Sequence, residues 1–171
     1  ELGVTRKELQ NGKVRLPAYR AFYLDYLLKE STGVTYYRDQ MLKAMVRSVK
    51  SVEDSDFTAP ERLRGVLREY QRIGYVWLRT LDSYGFGGIL ADDMGLGKTI
   101  QIIALLEDAY GSGEQSPSLI ICPASLVYNW EHEIRRFAPD LKVLSVVGSS
   151  SEREVFLNEV GRNPQDYQVI V

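Results

Sequence analysis

From Ala91 to Thr99 the chain reads Ala-Asp-Asp-Met-Gly-Leu-Gly-Lys-Thr, a run with the residue types needed to grip a chain of phosphates. Gly95 and Gly97 free the backbone to turn successive N–H groups inward around an anion. A helix opening near Lys98 would aim its free N–H groups and its dipole at the same point. Lys98 adds a full positive charge suited to the β- and γ-phosphates, and Thr99 offers a hydroxyl to the Mg²⁺ that bridges them. The expected seat therefore comprises Asp93, Met94, Gly95, Leu96, Gly97, Lys98, Thr99 and Ile100, with Lys98 the catalytic cation and Thr99 the metal contact. The general pattern has glycine six residues before the lysine, where this chain has Asp92.

The elements that must position this loop follow from periodicity. Val66, Leu67, Tyr70, Ile73, Trp77, Leu78 and Leu81 form one helical stripe. Gly87 to Ala91 reads as a short buried strand running into the loop, and Thr99 to Tyr110 as the helix leaving it. Turn-forming residues from Gly111 to Pro117 precede an apolar strand, Leu119 to Cys122, stopped by Pro123. A helix from Ser125 to Phe137, a strand from Lys142 to Val147, a helix from Ser150 to Val160 and a strand from Tyr167 to Val171 complete the pattern. Such alternation predicts an α/β fold, a parallel sheet with helices on its faces. Ligands of these sheets sit beyond the carboxyl ends of the strands, which is where the loop after Ala91 falls.

The first sixty residues have a different texture. Tyr19, Phe22, Tyr23, Tyr26 and Leu27 recur at helical spacing, as do Leu42, Met45, Val46 and Val49, with a break at Ser31-Thr32-Gly33. Two amphipathic helices and a turn admit a DNA-reading helix-turn-helix, although packing against a neighbour is the commoner use. Ser51 to Arg62, with four acids and Pro60, reads as a linker. Residues 1–50 carry 10 Lys/Arg against 5 Asp/Glu, a net of +5. Residues 51–171 carry 11 against 18, a net of −7, so the whole chain is −2. That split divides the chain into a helical upstream segment, 1–62, and an α/β part, 63–171. The single cysteine, Cys122, leaves no internal disulfide and suits a reducing cytoplasm. No run of 18 apolar residues is present, so no membrane span is expected. His132, the only histidine, has no partner cluster and is given no role.

Three segments together resemble the Swi/Snf-type helicase-like ATPases of superfamily 2. Gly88 to Thr99 is similar to that family's first motif, in which Asp92 takes the place of the general pattern's first glycine. Leu67-Arg68-Glu69-Tyr70-Gln71-Arg72-Ile73-Gly74 with Trp77-Leu78 is similar to its upstream segment, where a glutamine reads adenine. Gln71 then joins the site, since one carboxamide can both donate to and accept from a purine edge. Cys122 to Trp130, followed by Glu131 and Glu133, is similar to the next motif, which lies beside nucleic-acid backbone in relatives. Ser125, Arg135 and Arg136 are the matching candidates for DNA contact, against the simpler reading of a helix cap and a solvated helix face. Trp130 is expected mostly in the core.

What the resemblance implies is a partial RecA-like sheet of the P-loop NTPase type, ATP with Mg²⁺, and double-stranded DNA as partner. DNA-bound proteins such as RNA polymerase or another nucleoprotein would be what such a motor displaces. Its site would be the cytoplasm, at the nucleoid, in a bacterium, or the nucleus in a eukaryote. An acidic pair after a later strand, needed to hold Mg²⁺ and position water, does not follow here. A second lobe with arginine fingers is also missing, and the apolar end at Val171 suggests part of a longer protein. Nucleotide affinity with poor turnover is the expectation. A nucleotide-gated scaffold without motor activity is the alternative.

Overall fold

The computed structural model describes residues 12–33, 35–50 and 55–171. Among the described residues seven α-helices run α1 (Arg20–Glu30), α2 (Gln40–Lys50), α3 (Glu61–Arg64), α4 (Glu69–Ser83), α5 (Lys98–Gly111), α6 (Val127–Phe137) and α7 (Ser150–Arg162). Three short strands are β1 (Ser118–Leu119), β2 (Val143–Leu144) and β3 (Val169–Ile170), all parallel in the order β1-β3-β2. The α/β architecture is as expected. The last strand in sequence sits in the middle, which explains why Val169, Ile170 and Val171 form an unbroken apolar run, each at most 6% exposed. Ladder bonds extend beyond the paired residues, from Ile120 N to Ile170 O (2.8 Å) and from Val146 N to Val171 O (2.7 Å).

α5 is the axis of the molecule, because it is apolar on two sides. Ile103 and Leu106 join Val127, Ile134, Val169 and Val171 in a core against the sheet and α6. Ile100 and Ala104 join Ala59, Leu63, Leu67, Tyr75 and Val76 in a second core against α4. At the far end of α5 the Tyr110 hydroxyl accepts the Ser118 N–H at 2.7 Å. It also lies 2.9 Å from both Ser116 O and Ser118 Oγ, and touches Gln168 O. One phenol thus ties the helix end to β1 and to the residue preceding β3.

Several expectations need correction. Gly87 to Ala91 is extended but pairs with no described strand, and Ile89 is 86% exposed rather than buried. β1, at the sheet edge, pairs with β3 alone. The predicted stripe from Val66 to Leu81 is partly out of phase: Leu67, Leu78 and Leu81 are buried as expected, but Val66, Tyr70 and Ile73 face solvent. The buried face of α4 instead runs through Gln71, Tyr75, Val76, Leu78 and Leu81. Gly74 lies between those positions, where α5 approaches too closely for a larger residue. From Ser55 the supposed linker is packed, with Ala59 and Leu63 nearly inaccessible and Phe57 against the second core. Thr58 O and Ala59 O accept bonds from Tyr75 Oη (3.2 Å) and Arg64 Nε (3.1 Å). Residues 51–54 of that stretch lie outside the described residues.

The upstream helices are joined by residues 31–39, longer than the three- to four-residue turn of a helix-turn-helix. They pack on the α/β part instead. Phe22 meets Phe86 edge-on at 5.4 Å, and Tyr84 Oη reaches Ser48 Oγ at 3.3 Å. Tyr19, Tyr23 and Tyr26 stay exposed, so the first aromatic stripe is largely not core. Asp25 is 3% exposed and bonds both Lys29 (2.7 Å) and Arg38 (2.7 Å), with Lys29 the main reason that its carboxyl is held below the usual range. No helix among the described residues is long and apolar enough to cross a membrane.

Candidate functional site

The loop is a bend set by two glycines. Gly95 (φ +83°) and Gly97 (φ +77°) occupy the left-handed region, where a side chain is strained. Gly97 is also the residue that caps the start of α5, so the helix's free N–H groups face the concavity. Lys98 Nζ donates to two carbonyls of the loop itself, Asp92 O (2.7 Å) and Asp93 O (3.0 Å). Thr99 is half-buried on the first turn of α5, Ile100 is buried beneath it, and Met94 stands almost fully exposed at the loop tip.

Two glutamines hold the bend from opposite helices. From α4, Gln71 donates Nε2–H to Leu96 O (2.9 Å), and Tyr70 Oη donates to the same carbonyl (3.1 Å). Gln71 Oε1 accepts from Arg68 N (3.0 Å), closing the first turn of its own helix. Both ends of the carboxamide are therefore engaged, and the residue is 7% exposed. From α5, Gln101 donates to the Asp92 carboxylate (2.8 Å) and approaches Gly97 O (3.4 Å). Gln101 is wholly inaccessible, and its Oε1 has no hydrogen-bond partner. Sequence reasoning missed it. Its signal was one amide among the apolar residues of Ile100 to Leu106, on a face that a buried helix reserves for hydrocarbon.

Beside the loop lies an open groove of about 320 Å³, lined by Arg68, Tyr70, Gln71, Gly95, Gly97, Ile100 and Arg136 among others. Arg136 thus lies on the same side as Gln71, stacked on Phe137 with its guanidinium 5.0 Å from the ring centroid. Arg135, its neighbour in sequence, pairs instead with Glu131 one helical turn back (2.5 Å). Adjacent residues on a helix point about 100° apart, so the two arginines serve different faces. Ser125 is exposed in the short turn Ala124–Leu126 ahead of α6, while Trp130 is half-buried against the sheet-side core. Among the described residues no three His, Cys, Asp or Glu side chains gather to hold a metal.

A glycine bend capping a helix beside a parallel sheet, with a lysine donating back into the bend, has the form of a P-loop turn. The chain matches the SNF2-related domain over residues 70–171, and it belongs to that family. Residues 1–60 match a second description, bacterial SNF2 helicase associated, which the sequence reading had left unassigned. An uncharacterized ATP-dependent helicase of Mycoplasma genitalium is 38% identical over 144 residues, which is 84% of this chain and 14% of that protein. The human SWI/SNF-related regulator of chromatin, subfamily A containing DEAD/H box 1, is 46% identical over 105 residues, 61% of this chain and 10% of that protein. The solved SWI2/SNF2 ATPase core of Sulfolobus solfataricus, in complex with dsDNA, superposes with a TM-score of 0.51 at 43% identity. That match covers 61% of this chain and 20% of the solved one, and bears out the RecA-like expectation. The chain therefore spans only a small part of these relatives.

Proposed function

We propose that this chain is the nucleotide-gripping front part of an ATP-driven motor acting on double-stranded DNA. The observation that carries the reading is Lys98, whose ammonium rests on two uncharged carbonyls at the centre of a glycine bend. Neutral acceptors hold a cation more weakly than phosphate oxygens do, so an arriving triphosphate takes the amine from them. The residues present fit ATP with Mg²⁺. Backbone N–H groups at Gly95, Gly97 and the start of α5 would take the phosphates. Lys98 would neutralise the charge, and Thr99 would contribute a hydroxyl to a magnesium carried by the nucleotide. ATP supplies the phosphoanhydride bond whose cleavage drives such motors. Gln71, on the groove wall, would read the adenine edge with the Nε2 hydrogen and the Oε1 lone pair that its bonds to Leu96 O and Arg68 N leave over.

Turnover by this chain alone would be slow. Within residues 63–171 the adjacent acids outside the loop, Glu107 and Asp108, sit in the last turns of α5 and face Arg62 (3.6 Å) and Arg79 (2.6 Å), away from the phosphate seat. The DNA partner is supported by the dsDNA held by the Sulfolobus core. Ser125, Arg135 and Arg136 are all exposed and are the candidates to meet a phosphodiester backbone. Residues 1–60, matched to a bacterial family, favour the bacterial cytoplasm as the place of action.

Calorimetric titration with Mg·ATP tests the seat. Lys98→Ala should bind at least about 100-fold more weakly while keeping its circular dichroism spectrum, since a charge-assisted phosphate contact is removed. Unchanged affinity in that variant refutes the reading. On the intact parent protein, duplex DNA should raise the ATPase rate; a rate indifferent to DNA favours a nucleotide-gated scaffold.

A further inference from the structure

We infer that Gln101 is a positioning residue for the nucleotide, and that it fixes the upstream half of the loop through the Asp92 carboxylate. The inference rests on the triphosphate seat proposed above. Gln101 is fully buried one turn into α5, and its amide N–H reaches Asp92 Oδ2 at 2.8 Å. The backbone carbonyl of that same Asp92 is one of the two acceptors holding Lys98 Nζ. One aspartate therefore receives a helix amide on its side chain and the catalytic ammonium on its main chain. Moving its carboxylate moves the perch of the lysine.

The amide has no freedom to do otherwise. Its Oε1 is buried without a hydrogen-bond partner and points at Gly74 of α4, where an added Cβ would overlap it. That contact is the close approach between α4 and α5, so the side chain is wedged with its carbonyl toward glycine and its donors toward the loop. A buried carbonyl left without a donor is costly, about 1–3 kcal/mol, and is retained where the other end of the group is needed. Gln71 performs the matching task on the downstream half, at Leu96 O. The bend is thus suspended between two amides from two helices before any nucleotide arrives. Preorganisation of this kind raises affinity by removing the ordering cost at binding.

The test is a reciprocal exchange read by Mg·ATP titration on the full chain. Gln101→Met removes the donor to Asp92 at similar volume and should weaken binding about tenfold or more, the loss expected for a hydrogen bond to a charged group. Asp92→Asn together with Gln101→Glu restores one donor and one acceptor in reversed order, and should recover affinity to within about threefold of the parent. Melting temperature is measured in parallel. Recovery of affinity in the pair, beyond what its melting temperature accounts for, supports positioning. The inference is overturned if Gln101→Met binds as the parent does, or if the pair regains stability without regaining affinity. Should the parent bind Mg·ATP and Lys98→Ala lose it while every Gln101 variant binds normally, the seat stands and only this inference falls. A folded parent that binds no Mg·ATP removes both.

Discussion

The two arms of the phosphate loop differ in what holds them. The downstream arm, Gly95 to Gln101, enters a 14-residue helix whose Ile100, Ile103 and Ala104 are each at most 8% exposed, between two cores. The upstream arm, Gly87 to Asp92, has no ladder partner among the described residues and leaves Ile89 in solvent. Its anchors are Gly88, seated on Trp77 and Leu81, and the Asp92 carboxylate on Gln101. A site can therefore be half built by packing and half by a few polar contacts. The packed half was the easier to foresee.

Substitutions can break that contrast or sharpen it. The largest effect is expected at Ile103→Ala, where a wholly inaccessible side chain is truncated in the sheet-side core; it should cost about 2–5 kcal/mol. Urea unfolding measures it, and a loss below about 1 kcal/mol would mean that α5 is not the packed axis described. Next comes Gly97→Ala, forced into a left-handed backbone with its new methyl against Gln71 Nε2, for about 1–3 kcal/mol. The same thermal melt, with Mg·ATP titrated afterwards, should show affinity falling along with stability. Smallest is Ile89→Ser on the upstream arm, where exposure predicts a change within about 0.5 kcal/mol. A cost of several times that would place Ile89 in a core and erase the difference between the arms.

Much of this was legible without coordinates because it is local. The helix after Lys98, the apolar strand at Val169 and the bend at Gly95 and Gly97 each follow from a few neighbouring residues. Non-local facts were not legible. Whether Gly87 to Ala91 is buried depends on a neighbouring strand, and apolar composition does not name one. The phase of α4 was misread because Gln71 and Gly74 interrupt the hydrophobic count on the face that α5 covers. The pairing of Gln101 with Asp92, nine residues apart across a turn, is visible only once the bend has formed. Arg136 parted from Arg135 for a simpler reason: neighbours in a helix do not share a face.

Tyr110 has a mechanical consequence. A helix of 14 residues spans about 21 Å at 1.5 Å per residue, with the lysine perch at one end and this phenol bolted to the sheet at the other. A strut fastened in that way resists sliding along its length. A displacement at the lysine end would therefore be taken up sideways, at the glycine bend or where Gln101 meets Gly74 of α4.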